Sequence, residues 1–181
     1  MKALLPLLLV IVASGCGRDE EITRMRVPKD DAPVVAAPRA PAPEQALRWT
    51  LPKGWKELPG SGMRLSTMLP PGAGKAEVTV IALPGDVGGE LANVNRWRGQ
   101  IGLTALDEAG LAKARARAAS PAGPVTVYDF ISEGGKKTRL VAGTISTGGR
   151  TWFIKLMGDE NPVATARPAF MTLLGSLHAA R

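Results

Sequence analysis

Asn93, Arg96 and Gln100 follow one another at intervals of three and four residues, the spacing that aligns side chains on one flank of a helix. Guanidinium and carboxamide groups present directed donors, so such a flank could hold an anionic or amide ligand. The same residues equally suit a solvated helix face or hydrogen bonds to a neighbouring loop. A second set is purely basic. Lys113, Arg115 and Arg117 alternate with alanines, and Lys136, Lys137 and Arg139 follow further on. Together these six could form a stripe for an anionic polymer or for lipid headgroups. The alternation also describes an edge strand whose charges deter pairing with other chains, a reading that needs no ligand.

Catalytic constellations are sparse. His178 is the single histidine, placed by the sequence near the end of a terminal helix, and no Gly-x-Ser-x-Gly elbow accompanies it. With one cysteine and one histidine, no metal site of the usual kind can be assembled, and Asp86, Asp107, Asp129, Asp159 and Glu160 do not follow calcium-loop spacing. Neither a metal nor a cofactor is expected. A carboxylate pair brought together by folding could still cleave a glycosidic bond, although four tryptophans and one tyrosine offer little aromatic platform for a sugar. The sequence therefore favours a protein that is not an enzyme.

The elements that must position these residues follow from pattern. A helix from about Glu90 to Ile101 places Leu91, Val94, Trp97 and Ile101 on one face and Asn93, Arg96 and Gln100 on the other. Burial of Trp97 would contribute about 2–3 kcal/mol. Gly85, Gly88 and Gly89 match neither a P-loop nor a dinucleotide fingerprint, and a strand-to-helix turn with positive φ accounts for them. Before this helix, strands are expected at Leu47–Leu51, Met63–Leu69 and Ala76–Leu83, with Trp49 and Trp55 covering an edge of the core. After it come a short helix capped by Asp107, an edge strand over Lys113–Ala118, and three strands, Val125–Ile131, Thr138–Thr147 and Thr151–Met157. Gly134-Gly135 and Gly148-Gly149 suit hairpin turns. A last helix opens with Asn161 as cap and Pro162 at its first position, is kinked or restarted at Pro168, and docks through Phe170, Leu173, Leu174 and Leu177. The class is α+β: an antiparallel sheet of about six or seven strands covered by helices.

The chain opens with Met1-Lys2, an apolar run to Val12, and then Ala13-Ser14-Gly15-Cys16. That arrangement reads as a charged start, a short hydrophobic region and small residues before a cleavage point. Ala13-Ser14-Gly15-Cys16 resembles a bacterial lipobox, which implies a signal peptide over residues 1–15 and lipidation of Cys16. Several acyl chains at about 0.8 kcal/mol per buried methylene make a long-lived membrane anchor. Gly17 in place of an aspartate implies, by the sorting rules of such proteins, an outer-membrane address facing the periplasm in a cell with two membranes. Residues 16–45 are rich in Pro, Ala and charge and read as a disordered linker, leaving 46–181 as one domain. Cys16 being the only cysteine, no disulfide can form within the chain. The formal charge of +7 belongs to the domain, because the linker's charges nearly cancel. Such a charge favours anionic partners in general, while export argues against nucleic acid.

A second resemblance rests on Trp49, Gly54-Trp55, the segment Asn93-Val94-Asn95-Arg96-Trp97-Arg98-Gly99-Gln100, and Trp152 to Gly158 followed by Phe170 and Leu177. These are similar to a group of uncharacterised bacterial envelope lipoproteins, whose layout is similar to the PsbP-type α/β/α sandwich. The resemblance implies a fold for residues 47–178 and brings no catalytic residues. The expected function is that of a lipid-anchored envelope module that binds a protein partner or assists assembly. A binder of anionic polymer through the basic residues and a cell-wall hydrolase are the alternatives.

Overall fold

The structure, a computed structural model, describes residues 47–72 and 74–180. The expected signal peptide, the lipidated Cys16 and the linker to Gln45 lie outside the described residues. In chain order the elements are β1 (Leu47–Arg48), β2 (Lys56–Pro59), β3 (Arg64–Leu69), β4 (Ala76–Pro84), α1 (Glu90–Gln100), α2 (Glu108–Ala114), β5 (Ala116–Ala118), β6 (Val125–Ile131), β7 (Thr138–Thr147), β8 (Arg150–Asp159), α3 (Glu160–Gly175) and β9 (His178–Ala179). Seven strands form one antiparallel sheet in the order β2-β3-β4-β8-β7-β6-β5, and β1 pairs with β9 beside it. Helices lie on both faces, so the α+β sandwich expected from the pattern is the architecture present.

Side chains alternate across the pleat, and the register assigns each to a face. On the back face Val78, Val80, Val125, Val127, Val141, Ile145, Trp152, Ile154 and Leu156 meet Val163, Ala166, Phe170, Leu173 and Leu174 of α3. This helix can approach closely because Gly143 has no side chain: a Cβ there would stand 2.7 Å from Leu174 Cδ2. On the front face Val94, Trp97 and Ile101 of α1 and Leu111 of α2 pack on Tyr128, Phe130, Leu140, Ala142 and Phe153. Trp97 meets Phe153 edge-on at 5.8 Å between ring centroids, a favoured aromatic geometry. Neither β2 nor β3 contributes to that front cluster, so the front of the β2–β3–β4 end is left without a helical cover built from it.

Local chemistry explains most boundaries. Asp107 Oδ1 accepts from Gly110 N at 2.7 Å and starts α2, with Leu106 before the cap and Leu111 inside the helix both in the front cluster. Thr147 and Arg150 face each other across Gly148 and Gly149, whose φ values of 60° and 68° are those a two-residue type I′ hairpin requires.

Several expectations are corrected. Lys113 belongs to α2, because the cap and the buried Leu111 carry the helix through Ala114; the edge strand is reduced to Ala116–Ala118. The first strand keeps only Leu47–Arg48, and Lys56–Pro59 forms a strand the pattern did not announce. Helix α3 begins at Glu160 with Asp159 as its cap, two residues before the expected start, and runs through Pro168 without a break. The carbonyl that Pro168 leaves unpaired belongs to Ala164, and both residues are on the exposed side, where water can serve it. His178 sits not at a helix end but in β9, exposed and paired in register with Arg48.

Candidate functional site

Helix α1 is launched by Gly88 and Gly89, with φ of 73° and 75°, from the end of β4. This steep entry decides what its polar flank does. Asn93 does not face outward as the helical wheel suggested: it is buried, its Nδ2 donating to the carbonyls of Val87 at 2.6 Å and Gly89 at 2.8 Å. Its Oδ1 accepts from Arg96 Nη2. The asparagine thereby ties the entry loop to the helix and orients an exposed guanidinium. Gln100, one turn further on, is exposed, and its Oε1 accepts from Lys155 Nζ of β8 at 2.8 Å.

Around Lys155, on the front of the sheet, lie Arg64 of β3, Glu77 and Thr79 of β4 and Met157 of β8, which line a cavity of about 60 Å3. Arg64 and Glu77 form an exposed pair at 3.5 Å. Burial pushes the Lys155 ammonium below the ordinary lysine pKa, and the Arg64 and Arg96 guanidiniums push it the same way, with Glu77 opposing. Two elements, α1 and the sheet, thus bring together the Arg96 and Gln100 expected from sequence with Arg64 and Lys155, which sequence reasoning did not join to them. No spacing rule links a helix flank to strands some 30 and 55 residues away.

A second concavity, of about 200 Å3, opens at the first turn of α1, where Asp86, Glu90, Asn93 and Trp97 face Thr126, Tyr128, Thr144, Thr151 and Phe153 on the sheet. Its polar centre is already paired. Tyr128 Oη and Arg115 Nη2 both donate to the Glu90 carboxylate, and Arg115 Nε lies 3.5 Å from Tyr128 Oη. Burial pushes Glu90 up, but the hydrogen bonds from Tyr128 and Arg115 outweigh it and leave the carboxyl below its ordinary range. The Tyr128 phenol is pushed up to about 12 by burial and by its bond to Glu90.

The six basic residues do not form one stripe. Arg115 reaches the front face through Glu90 and Tyr128, whereas Arg139 lies on the back, bidentate to Asp129 at 2.8 and 2.7 Å. Asp129 also accepts from Arg167 Nε of α3 at 2.7 Å. Burial raises the Asp129 carboxyl, but the two arginines prevail and hold it below its usual value. Lys136 meets Asp159 at 3.4 Å. Lys113, Arg117 and Lys137 are exposed on the surface. Along β6, Ala116 pairs at Val127 and Arg139 at Ile131, about 13 Å apart at the rise of a strand.

Asn95 was not singled out from sequence. Its Nδ2 donates to Leu106 O at 2.9 Å and its Oδ1 accepts from Leu106 N at 2.7 Å, clipping α1 to the lead-in of α2. An asparagine inside a helix is the available signal, since such a side chain favours backbone partners outside the helical ladder.

Among the described residues no group of three or more His, Cys, Asp or Glu is placed to hold a metal ion, and no helix is long and apolar enough to cross a membrane. No protein-family model matches the chain, and no curated protein sequence matches it. Among solved structures it is similar to LpqN of Mycobacterium tuberculosis, described as involved in cell envelope biogenesis, with 16% identity over 76% of this chain and 84% of that one and a TM-score of 0.48. A protein from Bacteroides thetaiotaomicron VPI-5482 has 11% identity and a TM-score of 0.47 over 75% of this chain, which spans 45% of that protein. PA94 of Pseudomonas aeruginosa, a protein of unknown function, has 12% identity and a TM-score of 0.39, with 76% and 85% covered.

Proposed function

We propose that this chain is a non-catalytic, lipid-anchored module of the cell envelope that binds a protein partner across the front of β2, β3 and β4. The observation that carries this reading is the distribution of apolar surface. Of the four large hydrophobic side chains exposed among the described residues, three, Leu58, Met63 and Leu65, belong to the β2–β3 hairpin, Met63 being 74% exposed, and the fourth, Ile131 at the end of β6, is the least exposed at 37%. Scattered exposed hydrophobics need no explanation, but a group gathered on one hairpin beside a sheet face that carries no helix among the described residues suits an interface. Lys56 and Pro59 in β2 discourage strand addition at this edge, so recognition runs through side chains rather than through an added strand.

The chemistry of the first-turn cleft supports binding over hydrolysis. Asp86 and Glu90 do share that cleft, as a carboxylate mechanism requires. A glycosidase acid, however, must hold its proton near neutral pH, and Glu90 is shifted the opposite way by Tyr128 and Arg115. Asp86 is exposed to water. The anchor and the envelope address rest on the lipobox resemblance at Cys16.

A photoreactive residue at position 58 tests the reading directly. In intact envelopes it should form a discrete adduct, and the same residue at Ala164, exposed on α3, should not. Equal labelling from both positions, or none from position 58, refutes the proposed face. Separately, Cys16→Ser should release the chain from membranes, and persistence of that variant in the membrane pellet refutes the anchor.

A further inference from the structure

Resting on the reading of the β2–β3–β4 front as a partner surface, we infer that Lys155, Arg64, Arg96 and Gln100 at its border receive a carboxylate side chain of an acidic, apolar-flanked peptide segment of that partner. The four groups come from three elements: Arg64 from β3, Lys155 from β8, and Arg96 and Gln100 from successive turns of α1. Their hydrogen-bond inventory is incomplete in a directed way. Gln100 spends its oxygen on Lys155, which leaves both amide hydrogens to donate. The Lys155 ammonium retains two N–H groups beyond that bond. Arg96 uses one N–H on Asn93, whose own amide is fixed by two backbone carbonyls, so its guanidinium is held in place before any ligand arrives.

Charge points the same way. Several cations on this fold meet a carboxylate, Arg115 at Glu90, Arg139 and Arg167 at Asp129 and Lys136 at Asp159, while the half-buried Arg98 is met by the Thr104 carbonyl and the Phe130 ring. Lys155 is half-buried yet its direct partner is a neutral amide oxygen. The charged groups facing it are Arg64, Arg96 and Glu77, three cations in all against one carboxylate, and Glu77 is already shared with Arg64. Like charges gathered at a partly dry border favour an incoming anion. Leu58, Met63 and Leu65 on the adjoining hairpin select an anion carried next to apolar side chains. That combination is the signature of an acidic-apolar peptide and not of a free ion.

The test uses the full-length chain with 13C-labelled lysine, the Lys155 signal being assigned from Lys155→Met. The probes are the peptide acetyl-Leu-Glu-Glu-Leu-amide, its Gln-Gln counterpart, inorganic phosphate and phosphatidylglycerol vesicles. Binding of the Glu peptide should raise the Lys155 pKa by about one unit or more, and Arg96→Gln should weaken that binding about tenfold. Arg64→Gln, changing an exposed side chain whose partner is Glu77, should weaken it without loss of folding. Equal binding of the Gln peptide, no pKa change, or no effect of either arginine variant overturns the inference. Phosphate or vesicles binding while the Glu peptide does not also overturns it, in favour of an inorganic or headgroup anion. A position-58 adduct unaffected by Arg64→Gln and Arg96→Gln would sink this assignment and leave the partner surface standing.

Discussion

The two faces of the sheet solve the same packing problem to different extents. On the back, one sixteen-residue helix, α3, covers strands from β4 to β6 with apolar side chains, and the charges at its border close on one another: Asp129 of β6 bridges Arg139 of β7 and Arg167 of α3. On the front, α1 and the short α2 cover the β6–β8 end. Their border with the rest of the sheet carries unbalanced cations, and beyond it lies an exposed apolar hairpin. A face with matched charges and buried apolar groups has most of its energetic needs met within the chain, Trp152 Nε1 being the one buried polar side-chain atom without a hydrogen-bond partner among the described residues. A face with surplus charge and exposed leucine and methionine has not, and that contrast is what separates scaffold from candidate surface in this domain.

The contrast can be broken most severely from the back. Phe170 is fully buried in α3 against the sheet, and Phe170→Ala should cost about 3–5 kcal/mol, read as a lower urea midpoint with an unchanged slope. A loss under about 1 kcal/mol would show that α3 is not the principal cover. Next in size is Asp129→Asn, which removes the acceptor of two guanidiniums. Hydrogen bonds to charged groups at a partly buried site predict a loss of about 1–3 kcal/mol. The sign with pH follows from the lowered folded-state pKa of Asp129. Its contribution is present above the ordinary carboxylate value of 3.8 and disappears as pH falls through the depressed folded value. Wild type and variant should therefore differ at pH 7 and converge in strong acid. A difference that widens on acidification would contradict this.

How much of this contrast could be seen in the sequence depends on the range of the interaction. Local signals survived folding intact: the alternating runs at Val125–Ile131 and Thr138–Thr147, the paired glycines at 148 and 149, the Asp107 cap, and the apolar face Phe170, Leu173, Leu174 and Leu177. Each is decided by neighbours a few residues away. The polar flank of α1 was legible as a flank but not as a site. Asn93 was drawn inward by carbonyls of a loop whose path depends on two positive-φ glycines, and Arg64 and Lys155 reach the same border only through sheet order. The supposed basic stripe failed for a related reason: Arg115, at the C-cap of α2, is drawn to Glu90 and Tyr128 on the front, while Arg139 is turned to the back by its register in β7, and neither placement is local in sequence.

On the front face a smaller effect sharpens the comparison. Glu90 joins α1 to the α2–β5 connection through Arg115 and to the sheet through Tyr128. Its side chain is 37% exposed and that of Arg115 is 34% exposed, so solvent screens the pair, and Glu90→Gln should cost only about 0.5–1 kcal/mol. Because the Glu90 pKa is lowered in the folded chain, its contribution holds above the ordinary value of 4.5 and fades as pH falls through the folded one. The same substitution should bring the Tyr128 phenol down from about 12, since a neutral amide no longer opposes the phenolate. Ultraviolet titration of the tyrosinate reads this, helped by Tyr128 being the single tyrosine of the chain. An unshifted titration would mean that burial alone sets the value.

The smallest effect on stability should fall on the exposed hairpin, and its smallness is what makes it informative. Leu58 is 44% exposed and Met63 74% exposed, so Leu58→Ser with Met63→Ser removes little that the folded chain keeps from water. Exposed positions away from special features change stability by about 0.5 kcal/mol or less each. Fewer exposed apolar groups should also improve solubility. If these side chains serve the chain's own fold, the double variant should melt lower by about 8 °C or more. If they serve a partner, melting should hold within about 4 °C while the crosslink from a photoreactive residue at the neighbouring position 65 disappears. A stable, unaggregated variant that still forms the adduct would move the partner surface off this hairpin, because retained contact without Leu58 and Met63 means that neither side chain contributes to recognition.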